Sequence, residues 1–361
     1  MLLLLGPDKT QPCGIADYTH RLLLALQAET PSHFFSYTQA LDTPELVSAQ
    51  AILVQYEKGL MPSDQYLKQL AKRCRGKVYV IPHEVYAENP FAFPYSQIQA
   101  NNALELILKQ WLYRWRHRKD NVERNLQVAG CYAHKVIPLS DPTANILSQC
   151  TSPKNILPAI PLAMPDPNES VIESPIGNSK AIRDVFFIKP PQFLIGIFGF
   201  LNPANDYTLV FSALKELGPD FGLVLLGGDR GQGNLGEILE AQIQAAGLCS
   251  RIHITGYIEE NSLAEHLNSC DGFICPFRFK SNTASILHLF ALGKPIWASD
   301  ISINRYLLKQ GAPLSLYRDE EDLINSIQSM ASGVFKKPIH RYPWTFKQVA
   351  KAYIQAMGIS N

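Results

Sequence analysis

The residues from Cys275 to Asp300, CPFRFKSNTASILHLFALGKPIWASD, have the composition of a phosphate-binding segment. An apolar run ends at Cys275, and a polar turn of residues 281–285 then precedes a stretch with helical spacing. The free N–H groups and the positive dipole end at a helix start attract anions. Capping of the helix by a side chain of this turn is the structural alternative. The anion-binding candidates are Arg278, Lys280, Ser281, Asn282 and Thr283.

The bulk composition describes a neutral, globular chain. Its length of 361 residues favours two domains. Its net charge of +1 argues against a nucleic-acid partner. Seven scattered cysteines without a CxxC pair argue against zinc and disulfides, and they favour a reducing cytosol. The opening MLLLLG is too short for a signal core, and no window reaches about 18 apolar residues. We therefore expect a cytoplasmic protein.

Short apolar runs alternate with helix-period segments along the whole chain. The rhythm is interrupted by a proline-rich passage at 156–180 and restarts with FLIGIFGF at 193–200. Such alternation requires right-handed crossovers and parallel sheets with helices on both faces. We predict an α/β fold with two Rossmann-like, doubly wound domains that face a cleft. The predicted bounds are 1–175, 176–340, and a C-terminal helix at 341–361 that packs back toward the first domain.

In doubly wound domains, ligands bind in the crevice at the carboxyl ends of the strands. Loops that follow predicted strands therefore supply further candidates. Gly228 and Tyr257 follow two strand-like runs in the second half, and a plain tight turn is the alternative for the glycine. In the first half, Gly14 begins the first helix, and Glu57 and His83 follow the second and third strands. A surface charge and a structural histidine are the alternatives for these last two.

Several of these segments together resemble the family 4 glycosyltransferases of the GT-B fold. QPCGIADYTHRLLLAL is similar to the glycine loop and first helix of that group, and VIPHEVY to an acceptor-domain loop. IFGFLNPANDYTLVFSAL resembles the strand, loop and helix that open the nucleotide domain. RIHITGYIEENSLAEHLNSCDGFICPF and ALGKPIWASD resemble the most recognisable downstream run. The resemblance extends over nearly the whole chain.

The resemblance implies transfer of a sugar from a nucleotide-diphosphate sugar to a hydroxyl acceptor, with retention and without a metal ion or other cofactor. The first domain would bind the acceptor and the second the donor. It implies that Gly14 contacts the diphosphate and the acceptor, that His83 touches the donor sugar, and that the base lies near Tyr257. Glu57 is the nearest carboxylate for the acceptor hydroxyl. A retaining transferase without an evident nucleophile can still work if leaving-group electrostatics dominate.

The chain departs from the family at three positions of the donor site. The two glutamates that the family usually carries correspond to Lys280 and His288, and its diphosphate-binding lysine corresponds to Asn205. Arg278 and Lys280 can supply the missing cationic charge. His288 can hold the ribose as a neutral hydrogen-bond partner, with a satisfied helix histidine as the alternative.

These departures leave other readings open. A catalytically degenerate GT-B protein that acts as a binding or regulatory subunit is the main alternative. A GT-B enzyme of other chemistry, such as a sugar-nucleotide epimerase, has no specific residue in its favour. Residues 111–119 interleave tryptophans with basic side chains, which suits peripheral contact with an anionic membrane or a lipid-linked acceptor. A solvated helix with packed tryptophans is the structural alternative there.

Overall fold

The computed structural model describes residues 1–8, 13–63, 65–85, 126, 129–165, 179–187, 189–229, 233–334 and 341–359. The chain divides into two compact units. The first comprises Met1–Leu162 with Phe346–Asn361, and the second comprises Ala163–Thr345. The predicted contact segment 111–119 lies outside the described residues.

The first unit is built on one parallel sheet. Its strands are β1 (Leu2–Gly6), β2 (Ser32–Ser36), β3 (Ala51–Tyr56), β4 (Lys77–Pro82) and β5 (Lys135–Val136). Its helices are α1 (Gly14–Gln27), α2 (Tyr37–Ala40), α3 (Glu45–Ser48), α4 (Tyr66–Arg73), α5 (Asp141–Cys150) and, from the C-terminus of the chain, the helix Phe346–Met357. The strand order is β2-β1-β3-β4-β5, and all neighbours are parallel. Every residue of β1 and β3 is buried, as expected when both faces of a parallel sheet are covered.

The C-terminal helix belongs to the first unit. The hydroxyl of Tyr79 in β4 donates a 3.1 Å hydrogen bond to the carbonyl of Met357, at the helix end. At its start, the Phe346 ring lies 5.3 Å from the Tyr18 ring of α1, between ring centroids. The C-terminal helix therefore packs against β4 and α1 of the first unit.

The second unit has a six-stranded parallel sheet. Its strands are β6 (Phe193–Phe198), β7 (Phe221–Leu226), β8 (Ile252–Ile254), β9 (Gly272–Cys275), β10 (Ile296–Ser299) and β11 (Ser315–Tyr317). Its helices are α6 (Ser179–Phe186), α7 (Tyr207–Leu217), α8 (Leu235–Ala245), α9 (Glu260–Ser269), α10 (Ser285–Phe290), α11 (Ser302–Lys309) and α12 (Glu320–Ala331); the Phe346–Met357 helix of the first unit is α13. The strand order is β11-β10-β9-β6-β7-β8. The predicted class, α/β with two doubly wound parallel sheets, is confirmed.

The segment between the two sheets begins earlier than the sequence suggests. The division falls after Leu162, ahead of the predicted boundary at residue 175. The physical reason lies in Met164, whose N–H donates to the carbonyl of Trp344 at 2.9 Å and which forms a parallel bridge with Thr345. This segment therefore pairs with the end of the second unit.

The sheet of the second unit requires a very close approach between two of its loops. Gly227, directly after β7, has a φ of +156°, and a Cβ at this position would lie 2.1 Å from the carbonyl oxygen of Gly199, after β6. Only glycine permits both this backbone conformation and this approach. The loops after β6 and β7 can therefore pack this closely only because residue 227 has no side chain.

We expect the substitution Gly227→Ala to lower the free energy of unfolding by more than about 3 kcal/mol, because it combines a steric clash with a strained φ. Gly247→Ala is the matched control, since Gly247 also has a positive φ, +70°, but open space around its Cβ. The control should cost only about 1–2 kcal/mol. Urea denaturation of both variants measures the difference, and equal losses would contradict the close-approach argument.

Candidate active site

The loops that follow β6 and β9 in the second unit are joined through their backbones. The N–H of Asp206 donates to the carbonyl of Pro276 at 2.6 Å, and the N–H of Arg278 donates to the carbonyl of Ala204 at 2.8 Å. Asn205 and Phe277 form an antiparallel bridge between these contacts. Two loops that are far apart in sequence thus form one short ladder at the carboxyl ends of neighbouring strands.

An ion pair supports this ladder. An Nη of Arg278 lies 3.0 Å from Oδ1 of Asp206, and the same carboxylate caps α7 by accepting from the N–H of Leu209 at 3.2 Å. Burial alone would raise the pKa of Asp206, but the hydrogen bonds from Arg278 and Leu209 outweigh it, and the pKa is lowered. The guanidinium of Arg278 is about half exposed and is oriented by Asp206. Residue type and spacing identified Arg278 but not the aspartate that positions it.

Asn205, the residue at the family's lysine position, is a buried side chain in this ladder. It is 6% exposed, and its Nδ2 donates to the hydroxyl of Tyr207 at 3.1 Å. The N–H of Asn202 donates to the same hydroxyl at 3.1 Å. The buried Oδ1 of Asn205 has no hydrogen-bond partner among the described residues. Asn205 is thus fixed in place and carries no charge.

The polar turn predicted to head a helix lies in the loop ahead of it. The helix α10 begins at Ser285, and Ala284 at its N-cap makes no side-chain capping bond. Thr283 and Ser285 share a hydrogen bond of 3.0 Å between their hydroxyl oxygens. Short polar side chains offer local bonds that compete with helix formation, which explains the late start. Ser281 and Asn282, the residues of the capping alternative, therefore lie ahead of the N-cap position of this helix.

The side chains of this loop differ in exposure. Ser281 and Thr283 are buried, whereas Asn282 is half-buried. Nζ of Lys280 lies 5.7 Å from the centroid of the Phe277 ring, within cation–π range. Lys280 thus stays close to the loop junction that holds Arg278.

His288 lies on α10, half-buried, in an aromatic environment. Its ring centroid is 6.0 Å from that of Phe198, the last residue of β6, in an edge-to-face arrangement with planes at 76°. The side chain is thus placed at the carboxyl end of the central strand β6. This position is compatible with the predicted ribose contact and with the structural alternative.

Gly228 and Tyr257 lie side by side after β7 and β8. A Cβ on Gly228 would lie 2.9 Å from the backbone nitrogen of Tyr257, so this loop contact also requires glycine. Tyr257 is 60% exposed, and its ring is nearly parallel to that of Phe200, with centroids 6.5 Å apart. The sequence does not single out Phe200, because an aromatic residue that follows a strand is indistinguishable by type alone from a core residue. An exposed aromatic surface at this edge suits a planar ring.

In the first unit, Gly14 is the first residue of α1, and it is exposed. Its Cβ position has no atom within 4 Å, so packing within the described part of the chain does not demand glycine. Cys13 precedes it in an extended conformation and makes no side-chain cap bond. A glycine that the described packing does not explain is compatible with close approach by a ligand.

His83 and Glu57 are both buried at the carboxyl edge of the first sheet. Burial lowers the pKa of His83 to about 4, so its ring is neutral at pH 7. Its Nε2 lies 2.6 Å from Oε1 of Gln55, and its backbone N–H donates to the carbonyl of Tyr56 at 2.8 Å. Glu57 is 8% exposed, and its charge adds to burial in raising the pKa of Tyr37. Glu57 is therefore not the surface loop charge that was its structural alternative.

Solved structures share this architecture, and three of them illustrate the likeness. The sucrose-phosphate synthase of Thermosynechococcus elongatus is 15% identical, with 99% of each chain covered and a TM-score of 0.72. HepE of Anabaena, in complex with UDP and glucose, is 15% identical, with 99% of this chain and 95% of that chain covered and a TM-score of 0.66. The lipopolysaccharide outer core galactosyltransferase WaaB is 12% identical, with 99% of each chain covered and a TM-score of 0.62. These likenesses establish the shared fold.

The chain has the two-domain GT-B fold, as the resemblance implied. Residues 192–332, which lie within the second unit, match the family model described as Glycosyl transferases group 1. No curated protein matches the sequence. The second unit thus carries a Glycosyl transferases group 1 domain on a GT-B fold, and the predicted enzyme class, a glycosyltransferase, is confirmed.

Removing the charge of Asp206 tests the ion pair. Asp206→Asn keeps a capping side chain for α7 but loses the carboxylate. Because the pKa of the folded carboxyl is lowered from 3.8, its stabilisation is present above about pH 4 and is lost as pH falls through the folded pKa. We expect Asp206→Asn to lower the free energy of unfolding by about 0.5–1 kcal/mol at pH 7, a small loss because both side chains of the ion pair are partly exposed. Urea denaturation at pH 7 and pH 2.5 measures this, and an equal difference at both values would contradict it.

The neutral state of His83 makes its own pH prediction. The folded pKa of about 4 lies below the ordinary value of 6.5, so the unfolded chain binds more protons between these values. The contribution of neutral His83 to the free energy of unfolding is fully present above pH 6.5. It is lost as the pH falls toward 4, by up to about 3 kcal/mol. The variant His83→Gln should show a smaller loss over this window. Parallel pH profiles of wild type and variant that differ only by a constant would refute the assignment.

Proposed function

We propose that the protein transfers a hexose from a UDP-sugar to a hydroxyl acceptor, with retention and without a metal ion. The second unit binds the donor, and the first binds the acceptor. The observation that carries this proposal is the joined pair of loops after β6 and β9. It holds Arg278 at the carboxyl end of the sheet, close to Lys280 and the polar loop 281–283.

Uracil is the base that the comparisons favour. HepE was solved in complex with UDP and glucose, and also with UDP-glucose. The edge formed by Gly228 and Tyr257, with Phe200 beside it, is the part of the second unit suited to a planar base. UDP-glucose is therefore the donor to test first.

The reaction requires charge stabilisation on the departing diphosphate. The bond between the anomeric carbon and the diphosphate oxygen breaks, and its electron pair leaves with UDP. The acceptor oxygen forms the new bond to that carbon, and Glu57 takes up its proton. Arg278 and Lys280 stabilise the leaving group, with Asn205 and His288 as neutral partners. In the described part of the chain, no group of three or more His, Cys, Asp or Glu side chains forms a metal site.

His83 is proposed to contact the transferred sugar, and Gly14 to let the diphosphate and acceptor approach the backbone of α1. The acceptor is a hydroxyl compound, and a lipid-linked one is the alternative that residues 111–119 suggest. No helix in the described ranges is long and apolar enough to cross a membrane. A cytoplasmic location with peripheral membrane contact remains our proposal.

Binding and turnover of UDP-glucose test the donor site. We expect Arg278→Ala/Lys280→Ala to weaken UDP binding by more than about 100-fold, because two charged hydrogen bonds are lost and each contributes about 1.5–3 kcal/mol. The matched control is Arg318→Ala/Lys215→Ala, since Arg318 also pairs with an aspartate, Asp322, in the same unit. Calorimetry with UDP and UDP-glucose gives the affinities, and UDP release in EDTA tests metal independence.

The outcomes separate the rival functions. Nuclear magnetic resonance of the glycosidic product establishes whether the anomeric configuration is retained. Binding of UDP-glucose without release of UDP, across a panel of hydroxyl acceptors, would favour the degenerate binding subunit. Equal weakening of binding in the control variant would show that general charge, rather than the loop after β9, determines affinity.

A further inference from the structure

Ser299, the last residue of β10, connects this strand to the loop that follows β9. Its hydroxyl donates a 2.6 Å hydrogen bond to the carbonyl of Phe277, and the same hydroxyl oxygen lies 3.5 Å from the carbonyl of Cys275. A carbonyl oxygen can only accept, so the direction of the bond to Phe277 is determined. The two strands pair through their backbones as far as Ala298 and Cys275. The side chain of Ser299 therefore extends their connection into the loop.

The bond from Ser299 acts on the peptide group that joins Phe277 to Arg278. The carbonyl of this group accepts from Ser299, and its N–H donates to the carbonyl of Ala204 at 2.8 Å. A peptide group is planar, so bonds at its two ends fix the orientation of the unit and of the Cα of Arg278 attached to it. Ser299 and Ala204 thus fix the backbone from which the arginine side chain starts. Asp206 holds the guanidinium at the far end of that side chain.

Asn304 holds Ser299 in turn. This side chain of α11 is 0% exposed, and its Nδ2 donates to the carbonyl of Ser299 at 2.8 Å. The orientation of the amide is determined, because only its NH₂ end can bond to a carbonyl oxygen. The N–H of Ile301 donates to the same carbonyl at 2.8 Å, so both lone pairs of this oxygen are used.

The other end of the Asn304 amide is unpaired. Its Oδ1 is buried and has no hydrogen-bond partner among the described residues. A buried polar atom without a partner is destabilising, whereas leucine has nearly the same size and no such atom. Stability alone would therefore favour an apolar side chain at position 304. The amide is explained if its bond to Ser299 serves the loop that carries Arg278.

We propose that Ser299 and Asn304 are positioning residues for Arg278: they orient its backbone so that its guanidinium meets the diphosphate of the nucleotide sugar. This inference rests on the proposed function, in which Arg278 stabilises the leaving group. A side chain that is already held at both ends loses less conformational entropy when the donor binds. Both residues act through Arg278, and neither is assigned a contact with the substrate.

Four variants separate positioning from packing. Ser299→Ala removes the hydroxyl, whereas Ser299→Thr keeps one. Asn304→Leu keeps the volume of the core but removes the bond to Ser299. Ser269→Ala is the matched control, because the hydroxyl of Ser269 also donates to a carbonyl, that of His266, at 2.7 Å in the same unit. Calorimetry with UDP gives the affinities, and hydrogen exchange at the amide of Arg278 reports on the peptide group without any ligand.

We expect Ser299→Ala to weaken UDP binding about 10-fold, the loss of roughly one hydrogen bond, and Ser299→Thr to bind more tightly than Ser299→Ala. Exchange at the Arg278 amide should become about 10-fold faster in Ser299→Ala, while amides within β7 exchange as in the wild type. Asn304→Leu should bind UDP about 3-fold more weakly and melt at the wild-type temperature or above. Ser269→Ala should lower the melting temperature and leave the UDP affinity and the Arg278 amide unchanged.

A double-mutant cycle tests whether Ser299 acts through Arg278. In the Arg278→Ala background, Ser299→Ala should weaken UDP binding by less than about 2-fold further, because the side chain that Ser299 positions is gone. Additive losses would show that Ser299 acts independently of Arg278 and would overturn the proposal. A wild-type affinity together with a wild-type exchange rate at the Arg278 amide in Ser299→Ala would also overturn it.

If Ser299→Ala does not fold, Asn304→Leu decides the question, because it should weaken UDP binding without lowering the melting temperature. A role in packing alone would lower the melting temperature of Asn304→Leu and leave its UDP affinity unchanged. Failure of the proposed function gives a different pattern. In that case the wild type would not bind UDP, while the Arg278 amide would still respond to Ser299→Ala. The held peptide group would then be supported, and its role toward the donor would be overturned.

Discussion

Both faces of each parallel sheet are covered in this protein, and this constraint determines where chemistry can take place. Strands such as β1, β3 and β7 are buried along their entire length, so a polar side chain within them has no access to water. Polar groups are therefore concentrated in the loops that follow the strands. The candidate residues of both units lie at such loops or on the helices that follow them.

In the second unit, backbone contacts give these loops a defined shape. The ladder between the loops after β6 and β9 and the two glycine-dependent contacts of Gly227 and Gly228 bring several strand ends together. Asp206 belongs to this framework because it caps α7 and also holds Arg278. We propose that Arg278, in the loop after β9, supplies cationic charge at this edge of the sheet, where Asn205 after β6 is neutral. Loss of a lysine at position 205 is thus compatible with compensation of its charge by Arg278 in the neighbouring loop.

In the first unit, burial rather than a neighbouring charge sets the protonation state of His83. His83 is neutral because it is desolvated, and its Nε2 lies 2.6 Å from Oε1 of Gln55. Glu57 is also buried at this edge, where its charge affects Tyr37. The two units thus present different chemistry, with a neutral histidine and a buried carboxylate in the first and two basic side chains in the second.

Hydrophobic periodicity was enough to predict the class of fold, two parallel sheets with alternating helices, because apolar runs and helical spacing are local properties of the chain. Motifs whose order is visible in the sequence led to the correct enzyme class, and the strand pattern pointed to the loops after strands. The early division after Leu162, the late start of α10 at Ser285 and the partners Asp206 and Gln55 were not predictable. Asp206 meets Arg278 across 72 positions and Gln55 meets His83 across 28. Such contacts arise only when neighbouring strands bring distant loops together, so the tertiary structure alone decides which side chains act in concert.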